Sequence, residues 1–234
     1  MLNFLLRPAE LDDLPSCLAL DGGYITNYVW QMEEQVGSFD SFGAVGANEL
    51  RPRPKILGKS PSPTPDEYRI AFRPSRLPRP LAVPAPSNEQ DLLNNWKKTD
   101  YLLVAENIPG EADLGHLTPA TTSGNPLEPD FPLARIIGYI GLQVDSMRHV
   151  AWVSSYVVQS NYRRKGVGQA LYRESRAWAE RQRLRALMVE LETKNYPALQ
   201  FFQQQGFFFC GYNSAYYANR QLALFFGCKL PTFE

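Results

Sequence analysis

The chain has 234 residues, of which 44% are hydrophobic and 21% are charged, so it is long enough for one large globular domain or two small ones. Its 24 Lys and Arg residues equal its 24 Asp and Glu residues, so no overall charge favours a nucleic-acid partner. No apolar run approaches the roughly 20 residues of a membrane span, so we expect no membrane partner either. The three cysteines lack the spacing of a metal site or of a disulfide framework, and we therefore expect a cytoplasmic protein without a metal.

The first fifty residues predict one strand and two helices. Residues 4–7 have the pattern of a short strand, and residues 10–20 that of a helix that Pro15 begins or bends. Residues 24–36 mix aromatic and acidic side chains, and we predict a second helix there.

A proline-rich segment follows at residues 51–86, which hold ten of the 19 prolines. That density excludes a long helix and favours extended backbone, with one exposed strand at residues 67–73. We expect the segment to be an insertion into a single domain that spans residues 1–234. A helix at residues 91–98 and a strand at residues 101–106 are predicted next.

The rest of the chain has the pattern of a mixed sheet flanked by helices. Residues 107–132 are rich in Gly, Pro, Thr and Ser and are predicted to form a long loop. After this loop, apolar residues recur with the periods of strands and of helices in turn. The predicted strands are residues 135–144, 149–158, 187–191, 207–209 and 222–226, and the predicted helices are residues 167–182 and 197–205.

The most informative segment is Arg163-Arg164-Lys165-Gly166-Val167-Gly168, which we call the glycine loop. It lies between the predicted strand that ends at Val158 and the predicted helix that begins near Val167. Glycines let the backbone approach an oxygen-rich ligand, and the free N–H groups of the following helix point at its negative charge. The basic side chains add charge-assisted hydrogen bonds, so the segment predicts a phosphate site.

Two patterns in the sequence resemble those of the GNAT N-acetyltransferases. The glycine loop has the Arg-x-x-Gly-x-Gly pattern of their acetyl-CoA pyrophosphate loop. About 27 residues beyond Gly168, residues 195–207 resemble the second signature of that family, Asn-x-x-Ala-x-x-Phe-Tyr-x-x-x-Gly-Phe. The resemblance covers residues 101–234, and three segments are also similar to the streptothricin acetyltransferases: residues 162–166, 187–190 and 222–226.

The resemblance implies an α/β (α+β) fold, in which a mixed, mostly antiparallel twisted sheet is flanked by helices, with a cofactor-binding core over residues 135–227. It also implies acetyl-CoA as the co-substrate. The strand before the glycine loop would pair with the pantetheine arm through its backbone, and the N–H groups of the loop would hold the pyrophosphate. The residues that the resemblance assigns to acetyl-CoA are Tyr156, Val157, Val158, Arg163, Arg164, Lys165, Gly166, Val167, Gly168, Gln169, Ala170 and Asn195.

Acetyl transfer to an amine needs a general base, because a lysine-like amine has a pKa of about 10.4 and carries a proton at neutral pH. Strand alternation puts Met188, Glu190 and Glu192 on one face of their predicted strand. An unpaired carboxylate within a sheet is costly, so Glu190 is either a catalytic base or half of a structural salt bridge. In the ribosomal-protein alanine acetyltransferases the glutamate at the matching place is the base, and the resemblance implies that role for Glu190.

The sequence departs from the family at two places. Ser154 or Ser155 stands where many relatives have an acidic residue. Phe202 stands where they have the tyrosine that is usually proposed to protonate the leaving thiolate, and a phenyl ring cannot donate a proton. Either water or another tyrosine protonates the thiolate, or the step needs no acid because a thiolate is a tolerable leaving group. The remaining alternative is that the chain is a catalytically inactive acyl-CoA-binding module. The tyrosines that could replace it, each of which could equally be a packing residue, are Tyr212, Tyr216 and Tyr217.

The acceptor is predicted to bind on the second predicted helix. Aromatic faces beside carboxylates suit a cationic amine, although the same residues could simply pack that helix on the sheet. We expect a primary amine of a small molecule, with a protein N-terminus or a lysine as the alternative, and residues 201–226 could support a homodimer. The predicted acceptor-binding residues are Tyr24, Tyr28, Trp30, Glu33 and Glu34.

Overall fold

The structure is a computed structural model that describes residues 2–37, 67–84, 89–108 and 135–231. Within these ranges the strands are β1 (Phe4–Pro8), β2 (Tyr24–Gly37), β3 (Glu67–Val83), β4 (Tyr101–Asn107), β5 (Arg135–Asp145), β6 (Val150–Val158), β7 (Ala186–Glu192), β8 (Phe208–Asn213) and β9 (Ala223–Lys229). The helices are α1 (Leu14–Leu18), α2 (Glu89–Lys98), α3 (Val167–Arg181) and α4 (Tyr196–Gln204), with short 3-10 turns at Leu11–Asp13 and Ser160–Tyr162.

Seven of the strands form one sheet in the order β1-β4-β5-β6-β7-β9-β8. Its neighbouring strands are antiparallel, apart from β6 and β7. That pair is parallel because α3 carries the chain back along the sheet between the two strands. The predicted mixed, mostly antiparallel sheet with flanking helices is confirmed.

The pairing between β6 and β7 is short. Three residue pairs join the two strands, the last being Trp152 with Met188, and the described residues show no further pairing between them. Just beyond this point the register between β6 and β5 shifts, so that Ser154 is an extra residue in β6. Such a bulge bends its strand. The second half of β6 therefore leaves β7 and keeps one unpaired edge.

Apolar side chains cover both faces of the sheet. On one face, Leu171 of α3 and Phe202 of α4 pack in the same cluster as Tyr156 and Val158 from the end of β6. On the other face, Cys17 of α1 packs with residues of β4 and β5. Burying a Leu or Phe side chain stabilises a fold by about 1.5–3 kcal/mol. These contacts therefore hold α3 and α4 firmly against the end of β6.

The predicted helix at residues 24–36 was wrong. These residues form β2, which pairs with β3 in a separate two-stranded sheet, from Tyr24 opposite Val83 to Gly37 opposite Glu67. Aromatic and β-branched residues dominate the first half of β2 and favour a strand. Its partner comes from the proline-rich segment. The prolines of β3 are tolerated there because β3 pairs along one edge only.

The other predicted elements in the described ranges are present with shifted ends. The helix predicted at residues 10–20 is a 3-10 turn followed by α1, which has only 5 residues. The strand predicted at residues 67–73 continues to Val83. The remainder of the predicted insertion and most of the loop predicted at residues 107–132 lie outside the described residues. Within the described ranges, every helix falls short of the length and apolarity that crossing a membrane requires.

Candidate functional site

A cleft of about 480 Å3 lies between the end of β6, the start of α3 and one face of α4. It joins three parts of the sequence that were predicted separately: the strand end, the glycine loop and Asn195. The residues predicted to bind acetyl-CoA that line the cleft are Tyr156, Val157, Val158, Arg163, Arg164, Gly166, Gly168, Gln169 and Asn195.

The other three residues of that predicted set do not line the cleft. Val167 is fully buried in the core. Lys165 is exposed, with its Nζ 5.5 Å from the centre of the Tyr162 ring. The N–H of Ala170 donates to the carbonyl of Gly166 at 3.0 Å, which is the first hydrogen bond within α3.

Sequence reasoning missed six residues that line the cleft. Five of them follow a helical spacing along one face of α4, and this spacing is a signal that could have revealed them once Asn195 was assigned to the site. Gly22 comes from the segment between α1 and β2, where no local pattern predicts it. The six residues are Gly22, Pro197, Ala198, Phe201, Gln204 and Gln205.

The backbone of the glycine loop has the geometry of an anion site. Arg164 has φ +61° and Gly166 has φ +88°, so two residues of the loop adopt the left-handed conformation that curves successive N–H groups inward. Gly166 is the N-cap of α3 and offers no side chain to its first N–H groups. Apart from its own chain neighbours and the adjoining helix backbone, no atom of the described residues lies within 4 Å of the position that a Cβ of Gly166 would occupy. The first amides of α3 therefore remain available to a ligand with negative charge.

Gly168 is in close contact with Tyr156. A Cβ at Gly168 would stand 2.6 Å from the Tyr156 hydroxyl oxygen, so a glycine is needed here by the protein's own packing. The Tyr156 ring lies 5.4 Å from the ring of Phe201 and 5.8 Å from that of Phe202. Its hydroxyl is buried and has no hydrogen-bond partner among the described residues. Burial raises the pKa of Tyr156 far above its ordinary value, so the hydroxyl keeps its proton.

The Arg163 side chain ties the glycine loop to the segment before β2. Its Nε donates to the carbonyl of Val158 at 2.8 Å, and its Nη2 donates to the carbonyl of Asp21 at 2.8 Å. The N–H of Asp21 in turn donates to Oε1 of Gln159 at 2.9 Å. These bonds hold the segment that brings Gly22 and Tyr24 into the cleft. Arg163 thus acts within the protein, while Arg164 is exposed at the cleft.

Asn195 stands at the start of α4. Its Oδ1 accepts a hydrogen bond from the N–H of Ala198 at 3.3 Å, and its carbonyl accepts one from Leu199 at 3.0 Å. The side chain therefore caps the helix and lines the cleft at the same time.

Glu190 is half-buried in the middle of β7 and is not among the residues that line the cleft. Burial raises the pKa of its carboxyl, while hydrogen bonds from the hydroxyls of Tyr216 and Tyr217 lower it, and burial has the larger effect. No described Lys or Arg contributes to this shift, so the structural salt bridge that was the alternative has no visible partner in the described chain.

Aromatic side chains surround the face of the sheet on which Glu190 lies. Phe225 of β9 is opposite Glu190 in the strand register. The Phe225 ring contacts Trp152 edge-on with 6.0 Å between ring centres, and Tyr216 in the same way at 5.3 Å. Glu190 is thus a carboxyl with a raised pKa beside aromatic rings.

Comparison with known proteins identifies the family. The model of the acetyltransferase (GNAT) family matches residues 90–207, which contain both sequence patterns and most of the cleft. The chain belongs to the GNAT acetyltransferase family. Acetyl-CoA is the co-substrate that this GNAT family uses. No curated protein sequence matches the chain.

Solved acetyltransferase structures share the fold over nearly the whole chain. Nourseothricin acetyltransferase has a TM-score of 0.64 at 17% identity, over 97% of this chain and 99% of its own. A protein from Bacillus anthracis described as a streptothricin acetyltransferase, solved with acetyl coenzyme A, has a TM-score of 0.60 at 17% identity, over 97% and 100%. The ribosomal-protein-S18-alanine N-acetyltransferase of Escherichia coli has a TM-score of 0.54 at 13% identity, over 99% and 97%. At these identities the likeness shows a common fold.

The predicted acceptor-binding residues of this GNAT protein are spread along β2. Tyr24 lines the cleft, and burial together with the charge of Glu192 raises the pKa of its phenol. Tyr28 does not line the cleft, and its ring lies 5.0 Å from the ring of Tyr196. The structure does not bring Trp30 or Glu33 to the cleft: Trp30 packs against Phe72 and Phe226, and Glu33 is exposed 3.7 Å from Arg73.

Phe202 is part of the core of this GNAT domain. It is 2% exposed, and its ring lies 5.0 Å from that of Phe207. Of the tyrosines considered in its place, Tyr216 and Tyr217 have hydroxyls that lower the pKa of Glu190. Tyr212 packs against the ring of Phe72 at 5.5 Å.

Proposed function

We propose that the protein is an N-acetyltransferase that moves an acetyl group from acetyl-CoA to a primary amine of a small molecule. The observation that carries this proposal is the glycine loop. Its left-handed residues and the uncapped start of α3 open into a cleft that also contains Asn195. A diphosphate is a ligand that such an arrangement of backbone N–H groups suits.

The residues of the cleft fit acetyl-CoA along its length. The amides that follow Gly166 and the guanidinium of Arg164 would hold the diphosphate. The edge of β6 at Tyr156 to Val158 pairs with no described strand, and its backbone groups other than the Val158 carbonyl, which Arg163 holds, would pair with the amide groups of the pantetheine arm as an added strand does. Asn195 would contact the same arm. When bound, the co-substrate supplies an acetyl group activated as a thioester.

Glu190 is the proposed general base. A protonated amine must lose its proton before its lone pair can attack a carbonyl carbon, and Glu190 would accept that proton directly or through one water. A raised carboxyl pKa brings Glu190 closer to the operating pH and makes it a better base. Tyr216 and Tyr217 orient the carboxylate, and either could pass a proton to the departing thiolate, a role that Phe202 cannot fill.

A cationic acceptor fits the face on which Glu190 lies. Trp152, Phe225 and Tyr216 offer aromatic faces beside a carboxylate, and these attract an ammonium group by cation–π and ionic interactions. Tyr24 would contact the acceptor from the cleft side. Of the three solved structures described above, the two with the higher TM-scores are named for nourseothricin and streptothricin rather than for a protein acceptor. This supports a small molecule over a peptide as the acceptor.

The proposal is tested by binding and by turnover. Calorimetry with acetyl-CoA should show binding by the wild-type protein and a loss of about tenfold or more for Arg164→Glu, since hydrogen bonds to charged groups are worth about 1.5–3 kcal/mol. Arg173→Glu makes the same charge change at an exposed position of α3 outside the cleft and should bind normally. No binding by the wild-type protein would refute the proposal.

Turnover measurements distinguish a small-molecule acetyltransferase from a protein acetyltransferase and from an acyl-CoA-binding module. Release of CoA is measured with a panel of small amines and with peptides that carry a free N-terminus or a lysine. Turnover on small amines supports the proposal. Turnover on peptides alone would favour a protein acetyltransferase, and acetyl-CoA binding without turnover on any amine would favour an acyl-CoA-binding module.

A further inference from the structure

The Tyr156 hydroxyl is a buried donor without a partner. It lies at the end of β6, among the rings of Phe201 and Phe202 and against the backbone of Gly168. The described residues offer it no acceptor. A buried hydroxyl that makes no hydrogen bond is unfavourable, and native proteins contain few of them. The unpaired hydroxyl of Tyr156 therefore needs an explanation.

The position of the hydroxyl connects it with the cleft. Tyr156 and Gly168 both line the cleft, and the hydroxyl oxygen stands 2.6 Å from the point that a Cβ of Gly168 would occupy. Gly168 is in the first turn of α3, beside the amides that form the anion site. The absence of a side chain at residue 168 therefore leaves this donor at the junction of the glycine loop and the strand edge.

The surroundings keep the hydroxyl protonated and leave its O–H free to donate a hydrogen bond. Phe201 and Phe202 are apolar, and burial raises the pKa of the Tyr156 phenol so far that it stays protonated at any physiological pH. Acetyl-CoA carries phosphate oxygens and pantetheine carbonyl oxygens, which are acceptors. A partner for this proton can thus come from a ligand in the cleft.

We propose that the Tyr156 side chain binds acetyl-CoA by donating a hydrogen bond from its hydroxyl to an oxygen of the co-substrate. This inference rests on the proposed function, because it assumes that acetyl-CoA occupies the cleft. It adds a side-chain contact to the backbone pairing expected of the same residue. It also accounts for a donor that the free protein leaves unsatisfied.

Tyr156→Phe tests the inference, with Tyr172→Phe as the matched control. Tyr172 is also buried and also belongs to the core beside α4, but its hydroxyl lies 3.4 Å from the carbonyl of Gln205 and 3.9 Å from Sγ of Cys228, and it does not line the cleft. The acetyl-CoA dissociation constant and the thermal midpoint without ligand are measured for the two variants and the wild type.

For Tyr156→Phe we expect a dissociation constant roughly 3- to 10-fold higher than that of the wild type, because a typical hydrogen bond is lost from the complex. Its midpoint without ligand should be unchanged or higher, because the free protein loses only an unpartnered group. Tyr172→Phe should show the opposite pattern: a lower midpoint with acetyl-CoA affinity within about twofold of the wild type.

Equal acetyl-CoA affinity of Tyr156→Phe and the wild type would overturn the inference, and a water bound to the hydroxyl would produce that result. An affinity loss accompanied by a lower midpoint without ligand would also overturn it, since the hydroxyl would then be structural. If the wild type itself does not bind acetyl-CoA, the proposed function fails instead, so the two failures are distinguishable.

Discussion

The contact between Gly168 and Tyr156 makes a prediction about stability that needs no ligand. In Gly168→Ala the new methyl group would stand 2.6 Å from the Tyr156 hydroxyl oxygen, and contacts this short do not occur between unstrained atoms. The Tyr156 ring is wedged between α3 and α4 and cannot turn away freely. Overpacking of a buried site costs about 1–3 kcal/mol.

Removing the hydroxyl should remove the collision. In the Tyr156→Phe background the methyl group would meet ring and side-chain carbons at 3.5 and 3.6 Å, which are ordinary contact distances. Alanine is also favoured over glycine within a helix by up to about 1 kcal/mol. We therefore expect Gly168→Ala to be destabilising in the wild type and neutral or stabilising in the Tyr156→Phe background, with a coupling free energy of about 1–3 kcal/mol.

Urea unfolding of the four proteins without ligand measures this coupling. The midpoint and the slope of each transition give the free energies of unfolding, and the cycle gives their non-additivity. Gly168→Ala combined with Tyr172→Phe is the control, and these two changes should be additive. A coupling below about 0.5 kcal/mol between Gly168→Ala and Tyr156→Phe would refute the packing described for the start of α3.

Two further predictions concern turnover. Because burial raises the pKa of Glu190, the acid limb of the pH–rate profile should lie above the ordinary carboxyl range. Tyr217→Phe removes a donor to the ionised carboxylate and should move this acid limb to still higher pH. Glu190→Gln should lose about 10²- to 10⁴-fold in turnover and should also lose the acid limb. A Glu190→Gln variant with normal turnover and an unchanged pH–rate profile would exclude Glu190 as the base. Arg163→Lys cannot bond the carbonyls of both Val158 and Asp21, so it should raise the KM for the amine more than Arg164→Lys does. Equal acceptor KM values for the two lysine variants would contradict that positioning role for Arg163.

The sequence predicted the elements whose signals are local. The glycine loop lies between an apolar strand and an amphipathic helix, and residues 195–207 begin with a capping asparagine and a proline, so each segment defines its own structure. The fold from residue 135 onward could be inferred for this reason. The family resemblance then related these segments to one another.

The residues that the sequence did not predict depend on distant partners. The composition of residues 24–36 is compatible with either a helix or a strand. They form a strand because they pair with β3, which is far away in the sequence. The contact of Arg163 with Asp21 joins residues 142 positions apart. The contact of Tyr156 with Gly168 depends on the turn between β6 and α3. Local periodicity carries no information about such pairs.

The bulge in β6 connects the fold with the site. Ser154 and Ser155 both approach Gly141, where a Cβ would stand 3.0 and 2.6 Å from their hydroxyl oxygens, so two successive side chains point to the same face. Ser154, the extra residue of the bulge, bends the end of β6 away from β7 and leaves one edge of β6 without a partner strand among the described residues. Free edges are normally covered, because unpaired backbone groups are costly. Here the edge faces a cleft beside an anion site, and a ligand with both amide groups and phosphates would satisfy the two together.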